Sequence, residues 1–397
     1  MENKLSVAVF NTQPPHLYFG GVERRIVETA KRLLNKVDIS VYSGTKSGFN
    51  KVAFVDGAVL IPCFSTDLVF PVDNWFFNKT LSRTYDRIKA DVYESHAVSG
   101  YGFLKAIRKH NIVKPFIQTI HGVLADEYIQ LSDSTSLEPR TKISQFFMRH
   151  LSKIEKELAK DATLIVTVSN YSLRKIVQLY GVDKNKIRVV PNGVDLQKFK
   201  PMDVLKKFKN RNESYTKQHV LFVGRLIPRK GLHFLIEAAR HMVKENKEVD
   251  FLVVGDGPLK RHLIHYSKKQ GLFDNFVFMG DVHDDVLPML YNYADVFVLP
   301  STQEGQGIAL LEAQATAKPV VAFNVSGIKE TVLNNETGLL VKLDSYELAQ
   351  AMLNLLSDKS LRDKMGSRGR NFVLNKFSWD VCAQRIFQVY REAVGYV

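Results

Sequence analysis

Two stretches of the second half combine residue types that can hold a charged ligand. The first is Val223-Gly224-Arg225-Leu226-Ile227-Pro228-Arg229-Lys230-Gly231. A strand-like apolar run ends there, and helical spacing of apolar residues begins after it. Gly224 has no Cβ and lets a backbone approach a ligand closely. Arg225 and Lys230 can converge on an anion near the helix N-terminus, where free N–H groups and the helix dipole also favour negative charge. Arg supplies a two-pronged fork and Lys a point charge, so a diphosphate suits the pair. Read alone, the same residues also suit a solvated strand–helix turn.

The second stretch is Pro300-Ser301-Thr302-Gln303-Glu304-Gly305-Gln306-Gly307-Ile308-Ala309-Leu310-Leu311-Glu312-Ala313. Gly305 and Gly307 predict a turn, and 308–317 is a run of good helix formers. Glu304 then falls on the loop and Glu312 inside the helix. Backbone N–H groups of such a turn can face a ligand. A carboxylate can accept both hydroxyls of a vicinal diol, such as a ribose. Alone, this spacing reads first as a surface Glu pair beside a glycine cap.

These residues need a frame that brings strand ends together. Strand-like runs fall at 5–10, 37–42, 90–94, 115–120, 163–168 and 187–190. The rhythm repeats at 219–223, 251–254, 276–279, 296–299, 319–323 and 338–341, with helical stretches such as 232–245 between. Apolar strands alternating with helices predict parallel sheets covered on both faces. Twelve such strands exceed one ordinary doubly wound sheet, so the expected fold class is α/β with two Rossmann-like domains. The expected domains are 1–195 and 196–380, with the boundary between Asp195 and Tyr215 beside the stretch 198–217, which is rich in Lys, Asn, Ser and Glu.

The composition agrees with that plan. The chain has 397 residues, 45% hydrophobic and 24% charged, which suits a globular protein of two or three domains and excludes a mainly disordered one. Cys63 and Cys382 are too far apart in sequence for a metal-ligand motif and do not make a disulfide framework, so a reducing compartment is expected. No signal-peptide pattern and no run of 18 apolar residues occurs, which makes the cytoplasm the expected location. The net charge is +14 and is spread over both halves. Such an excess suits nucleic acid, an anionic membrane or a phosphorylated substrate. The segment 141–160 predicts an amphipathic helix, with Ile143, Phe146, Phe147, Leu151, Ile154 and Leu158 apolar and several Lys and Arg between them. It reads as a core-packed helix with a solvated face or as a membrane-binding surface.

Further motifs fall in a fixed order: Asn192-Gly193-Val194-Asp195, Val254-Gly255-Asp256-Gly257-Pro258, Phe278-Met279-Gly280, Lys318-Pro319-Val320-Val321-Ala322, Glu330, and Gly338-Leu339-Leu340-Val341. With the two stretches above, this order closely resembles the retaining nucleotide-sugar glycosyltransferases of family 4, with the GT-B fold. Gly20-Gly21-Val22-Glu23 and Thr119-Ile120-His121-Gly122 match more loosely. The resemblance implies two domains facing across a cleft, with the helix at about 381–397 returning to the first domain. It implies a nucleotide diphosphate sugar as donor, no separate cofactor and no metal. It assigns Arg225 and Lys230 to the donor diphosphate, Glu312 to the ribose, and Glu304 with Gln306, Gly307 and Ile308 to the donor sugar. Gly224 belongs to the same donor loop, Gly20 and Gly21 to a first-domain loop near the phosphates, and His121 to the reacting centre. Two positions depart from the family pattern: Gln306 stands at a commonly aromatic position, and Ser326-Gly327 replaces a glycine pair.

The acceptor expected from the basic first half is lipid-linked or phosphorylated, with peripheral contact to an anionic membrane. A sugar-nucleotide epimerase or a starch- or sucrose-type synthase would use the same fold. A basic nucleic-acid-binding protein is the alternative of another class, but no clustered basic-aromatic stripe supports it, and no nucleic acid is expected. His262 and His265 have no third ligand nearby in sequence, so no metal site is expected.

Overall fold

The computed structural model describes residues 4–18, 20–68, 71–133, 139–203, 217–245 and 248–395, with backbone alone for 131–133 and 139–144. The chain divides into two compact units, Met1–Asn192 with Trp379–Val397, and Gly193–Ser378. The junctions fall at 192/193 and 378/379, where the sequence reading set them at 195/196 and 380/381.

The first unit is built on β1 (Leu5–Phe10), β2 (Val37–Gly44), β3 (Ala53–Val55), β4 (Ala58–Cys63), β5 (Val92–His96), β6 (Phe116–Ile120), β7 (Leu164–Thr167) and β8 (Ile187–Val189). They form one sheet in the order β3-β4-β2-β1-β5-β6-β7-β8. Every pairing is parallel except β3 with β4. The sequence reading missed β3 and β4. They are joined by Asp56 and Gly57, both at positive φ (43° and 86°), the backbone of a two-residue hairpin turn. It also placed β5 two residues early. The Asp91 carboxylate is spent on the Ser6 amide and hydroxyl (2.8 and 2.6 Å), and pairing with β1 begins only at Val92.

The last helix, Trp379–Gly395, belongs to this first unit. Trp379, Cys382, Ile386, Val389 and Tyr390 recur at helical spacing and are buried in one cluster with Ile26, Ala30 and Leu33 of the helix Gly21–Leu33. Arg32 and Arg188 add ion pairs to Asp380 (3.0 Å) and Glu392 (2.9 Å). The helix Pro139–Asp161 buries Leu151, Leu158 and Ala159, but Phe146 is 71% exposed. Phe146 therefore does not join the packed face expected of it. Glu155 is buried rather than solvated, accepting hydrogen bonds from the Tyr180 hydroxyl and the Leu124 amide. Burial pushes its carboxyl up to about 8 despite those hydrogen bonds. Residues 133–136, Asp-Ser-Thr-Ser, read from the sequence as a turn, and from residue 134 on they lie outside the described residues.

The second unit carries β9 (Gln218–Val223), β10 (Val249–Val254), β11 (Phe276–Gly280), β12 (Val296–Leu299), β13 (Val320–Phe323) and β14 (Gly338–Val341). The sheet is wholly parallel, in the order β11-β10-β9-β12-β13-β14. Every residue of β12 and β13 is buried, which is why both read as unbroken apolar runs. Strand order reverses between β9 and β12. The loops leaving their carboxyl ends flank the crevice where doubly wound sheets bind ligands.

Candidate active site

The two loops at that reversal are stretches 224–231 and 300–307. Gly255, at φ +122°, lets the β9 and β10 loops touch: a Cβ there would lie 2.2 Å from the Gly224 carbonyl oxygen. The Leu226 amide then donates to the Asp256 carbonyl at 2.9 Å. Gly231 is constrained twice, by its φ of +65° and by the Pro300 carbonyl 1.9 Å from any Cβ. With the Thr302 amide donating to the Arg229 carbonyl at 2.9 Å, the β9 loop is fixed onto the β12 loop.

This stitching sets Lys230 on Glu304. The Lys230 ammonium pairs with Glu304 Oε1, the Ser301 hydroxyl donates to the same oxygen at 2.9 Å, and the Arg229 guanidinium stands 3.4 Å from Oε2. Glu304 is only 6% exposed. Burial pushes its carboxyl up. The Lys230 and Arg229 charges, with the hydrogen bonds from Lys230 and Ser301, outweigh that and hold it at about 2. Glu304 is thus a fixed anion inside a cationic collar. Arg229 and Ser301 were not among the residues expected in the site, although both lie within the motifs that pointed to it.

Arg225 differs. It is exposed, and its guanidinium makes no hydrogen bond or ion pair among the described residues. The structure therefore separates the two expected diphosphate ligands into one uncommitted cation and one held by a carboxylate. Gly224 leaves space beside Lys230, whose Cε would be 3.7 Å from a Cβ at that position.

Gly307 at φ +88° starts the helix Ile308–Ala315, two residues shorter than expected. Glu312 lies inside it and is buried, with Oε2 accepting from the Tyr291 hydroxyl at 2.8 Å. Gln306 is also buried, and its carbonyl accepts from the Thr331 hydroxyl at 2.8 Å. The Ser326-Gly327 pair packs on the Glu304 loop. The Gly327 amide donates to the Glu304 carbonyl at 3.0 Å, and a Cβ at 327 would lie 1.9 Å from the Gly305 carbonyl. Ser326 holds φ +49°, the left-handed backbone that a glycine adopts without strain.

In the first unit, Gly20 caps the helix Gly21–Leu33, and the chain's own Glu23 reaches back over it. Asn11 donates to Glu23 Oε1 at 3.1 Å. Burial raises the Glu23 carboxyl against the hydrogen bonds from Asn11 and from the backbone at Glu23 and Gly20. The N-terminal amides at the expected phosphate loop already face a carboxyl group.

His121 follows β6 and is partly exposed. Its Nε2 lies 2.9 Å from His96 Nδ1, and His96 Nε2 lies 3.4 Å from Glu94 Oε1. Glu94 also accepts from the Thr119 hydroxyl at 2.6 Å and from the Tyr390 hydroxyl. Burial drives His96 down to about 4, with Glu94 opposing and Arg25 assisting. Burial, then His96 and Arg25, drives His121 well below 6.5. Both rings are neutral at pH 7, so one nitrogen of each carries the proton. The Glu94 carboxylate 3.4 Å from His96 Nε2 favours the His96 proton on that nitrogen. His96 Nδ1 must then accept from His121 Nε2–H, leaving His121 Nδ1 with a free lone pair.

Among the described residues no three His, Cys, Asp or Glu side chains are grouped to hold a metal. No helix among them is long and apolar enough to cross a membrane.

Comparison with known proteins places this arrangement. Residues 19–198 match the model of Glycosyltransferase Family 4, and residues 203–372 match that of Glycosyl transferases group 1. A GDP-mannose-dependent alpha-(1-6)-phosphatidylinositol monomannoside mannosyltransferase of Mycobacterium tuberculosis is 32% identical over 241 residues, which is 58% of this chain and 62% of that protein. The capsular polysaccharide biosynthesis glycosyltransferase CapM of Staphylococcus aureus is 30% identical over 285 residues, covering 69% of this chain and 73% of that protein. Sucrose-phosphate synthase of Thermosynechococcus elongatus superposes with a TM-score of 0.84 at 21% identity, covering 98% of this chain and 99% of that one, which shows a shared fold. Two parallel-sheet units of this kind, matched along both halves, place the chain in the family 4, group 1 glycosyltransferases with the GT-B fold.

Proposed function

We propose that the chain transfers a sugar from a nucleoside diphosphate sugar to an acceptor hydroxyl, with retention of anomeric configuration. The observation that carries this reading is the Glu304 assembly at the strand-order reversal. A buried, fully charged carboxylate is held by Lys230, Arg229 and Ser301, with the exposed Arg225 on the same loop.

In this mechanism Arg225 and the remaining N–H donors of Lys230 take the donor diphosphate. Negative charge grows on the leaving diphosphate as the glycosidic bond breaks, so these cations act most strongly in the transition state. Glu304 faces the donor sugar, where the positive charge of an oxocarbenium-like sugar develops. Backbone amides at Gln306, Gly307 and Ile308 orient the sugar hydroxyls, and Glu312 receives the ribose. For the first unit, the family resemblance assigns Gly20 and Gly21 to the phosphates and His121 to the reacting centre. Retention rests on the resemblance to the family as a whole and not on residue spacing. The acceptor is lipid-linked or phosphorylated, in keeping with the phosphatidylinositol monomannoside in the name of the mycobacterial relative.

A panel of nucleoside diphosphates and their sugars tests the reading. Ligands that bind the folded state raise the melting temperature by mass action. At least one nucleoside diphosphate should stabilise the chain, and its sugar should appear on an acceptor with the anomeric configuration of the donor. Stabilisation by none of the panel, or an inverted product, would overturn it.

A further inference from the structure

A buried cation stands behind the His96–His121 pair. Arg25, on the helix Gly21–Leu33, is 1% exposed. Its Nη1 donates to the Val190 carbonyl at 2.8 Å and to Asn192 Oδ1 at 3.0 Å. Its Nη2 is buried with no hydrogen-bond partner, and no carboxylate pairs directly with the guanidinium among the described residues. Thr29 lies four residues further on, on the same face of the helix, and its hydroxyl is also buried and unpartnered. Both side chains line one cavity together with Glu94, His96 and Tyr390, and its other walls are apolar. The cavity has room for about one water molecule.

A buried charge and a buried hydroxyl without partners, facing one small space, call for a ligand there. A chloride would face the Glu94 carboxylate, and a metal cation would face the guanidinium. Neutral water suits both, because it accepts from one side and donates to the other. We infer that this cavity holds one buried water, which accepts from Arg25 Nη2, meets the Thr29 hydroxyl and donates to the Glu94 carboxylate, so that Arg25 and Thr29 are positioning residues for His96 and His121. The water joins the separated Arg25 and Glu94 charges into a bridged ion pair. Glu94 already accepts from the Thr119 hydroxyl on Oε1 and from the Tyr390 hydroxyl on Oε2. The bridge adds the one contact that ties this carboxylate to the helix Gly21–Leu33. A fixed Glu94 keeps the His96 ring in place 3.4 Å away, and His96 in turn holds His121 Nε2 at 2.9 Å. That His121 serves the reacting centre rests on the transferase reading above; the water itself does not.

A high-resolution crystal structure of the full chain, grown with bromide in place of chloride, tests the ligand. A single oxygen in contact with Arg25, Thr29 and Glu94 is expected, with no anomalous peak. An empty cavity, or a bromide or metal signal in it, would overturn the inference. The positioning role is tested at Thr29, because replacing Arg25 would also cut its bonds to Val190 and Asn192. Thr29→Val keeps the shape and removes the hydroxyl, whereas Thr29→Ser keeps the hydroxyl. In ¹⁵N-histidine-labelled protein the His96 and His121 signals should move in Thr29→Val and stay at their wild-type positions in Thr29→Ser. Turnover at saturating donor should fall about three- to tenfold in Thr29→Val, with the donor KM unchanged, and return in Thr29→Ser. Wild-type histidine signals and turnover in Thr29→Val, or equal losses in both variants, would refute the role. A chain that holds the water and shows the histidine response but transfers no sugar would leave the water standing and refute the transferase reading instead.

Discussion

Arg225→Ala and Lys230→Ala should fail in different ways, although both residues are assigned to one diphosphate. Arg225 is exposed and uncommitted among the described residues, so its removal should change stability by no more than about 0.5 kcal/mol. Its loss should appear in turnover. A charge-assisted hydrogen bond contributes roughly 1.5–3 kcal/mol, which corresponds to about a 10- to 100-fold fall at saturating donor. Lys230 has a second task, because it partners a carboxylate that is 6% exposed. Removing one member of a buried ion pair costs about 3–5 kcal/mol. Glu304 would keep Ser301 at 2.9 Å and Arg229 at 3.4 Å, which lowers the expectation to about 2–3 kcal/mol. Lys230→Ala should therefore lose stability and turnover together. Both tryptophans lie in the first unit, so calorimetry or circular dichroism must follow unfolding, with turnover measured at saturating donor on the folded fraction. Equal destabilisation by the two substitutions would refute the loop geometry. Wild-type turnover in both would refute the leaving-group role.

The depressed Glu304 carboxyl makes stability pH-dependent. Its folded value of about 2 lies below the usual 4.5, so its contribution is complete above about pH 5 and is lost as pH falls toward 2, amounting to about 3 kcal/mol. Glu304→Gln should be less stable at pH 7 and lose less between pH 5 and 2.5; parallel calorimetric profiles for the two proteins would contradict this. Ser326→Gly relieves a left-handed backbone that costs a non-glycine residue about 1–2 kcal/mol, offset by the roughly 0.5–1 kcal/mol entropic cost of glycine. The variant should gain about 0–1.5 kcal/mol, read from the urea midpoint, and a lower midpoint would show that the serine side chain has a compensating role. In ¹⁵N-histidine-labelled protein at pH 7, His96 and His121 should both carry their proton on Nε2. A proton on His121 Nδ1 in two-bond correlation spectra would break the deduced Glu94–His96–His121 order.

Much of this architecture is readable along the chain because a buried parallel strand announces itself locally. The runs Val296–Leu299 and Val320–Phe323 are apolar throughout because both faces of their sheet are covered. The hairpin at 53–63 escaped for the opposite reason. Its signal is the Asp56-Gly57 turn between two short runs, not the alternation of strand and helix that organises the remainder. Within the site, the motifs name Arg225, Lys230 and Glu304, since ligand chemistry demands those residue types. They do not show which charge is already neutralised in the folded protein. That depends on the Thr302–Arg229 backbone hydrogen bond and on the absence of a Cβ at Gly231, which together bring two loops separated by about seventy residues into register. The His96–His121 contact is hidden likewise, because its members end two neighbouring strands and the Tyr390 that completes it arrives from the last helix. A residue's type tells what it can bind, whereas its partners decide what it is free to bind. In this chain that difference separates Arg225 from Lys230.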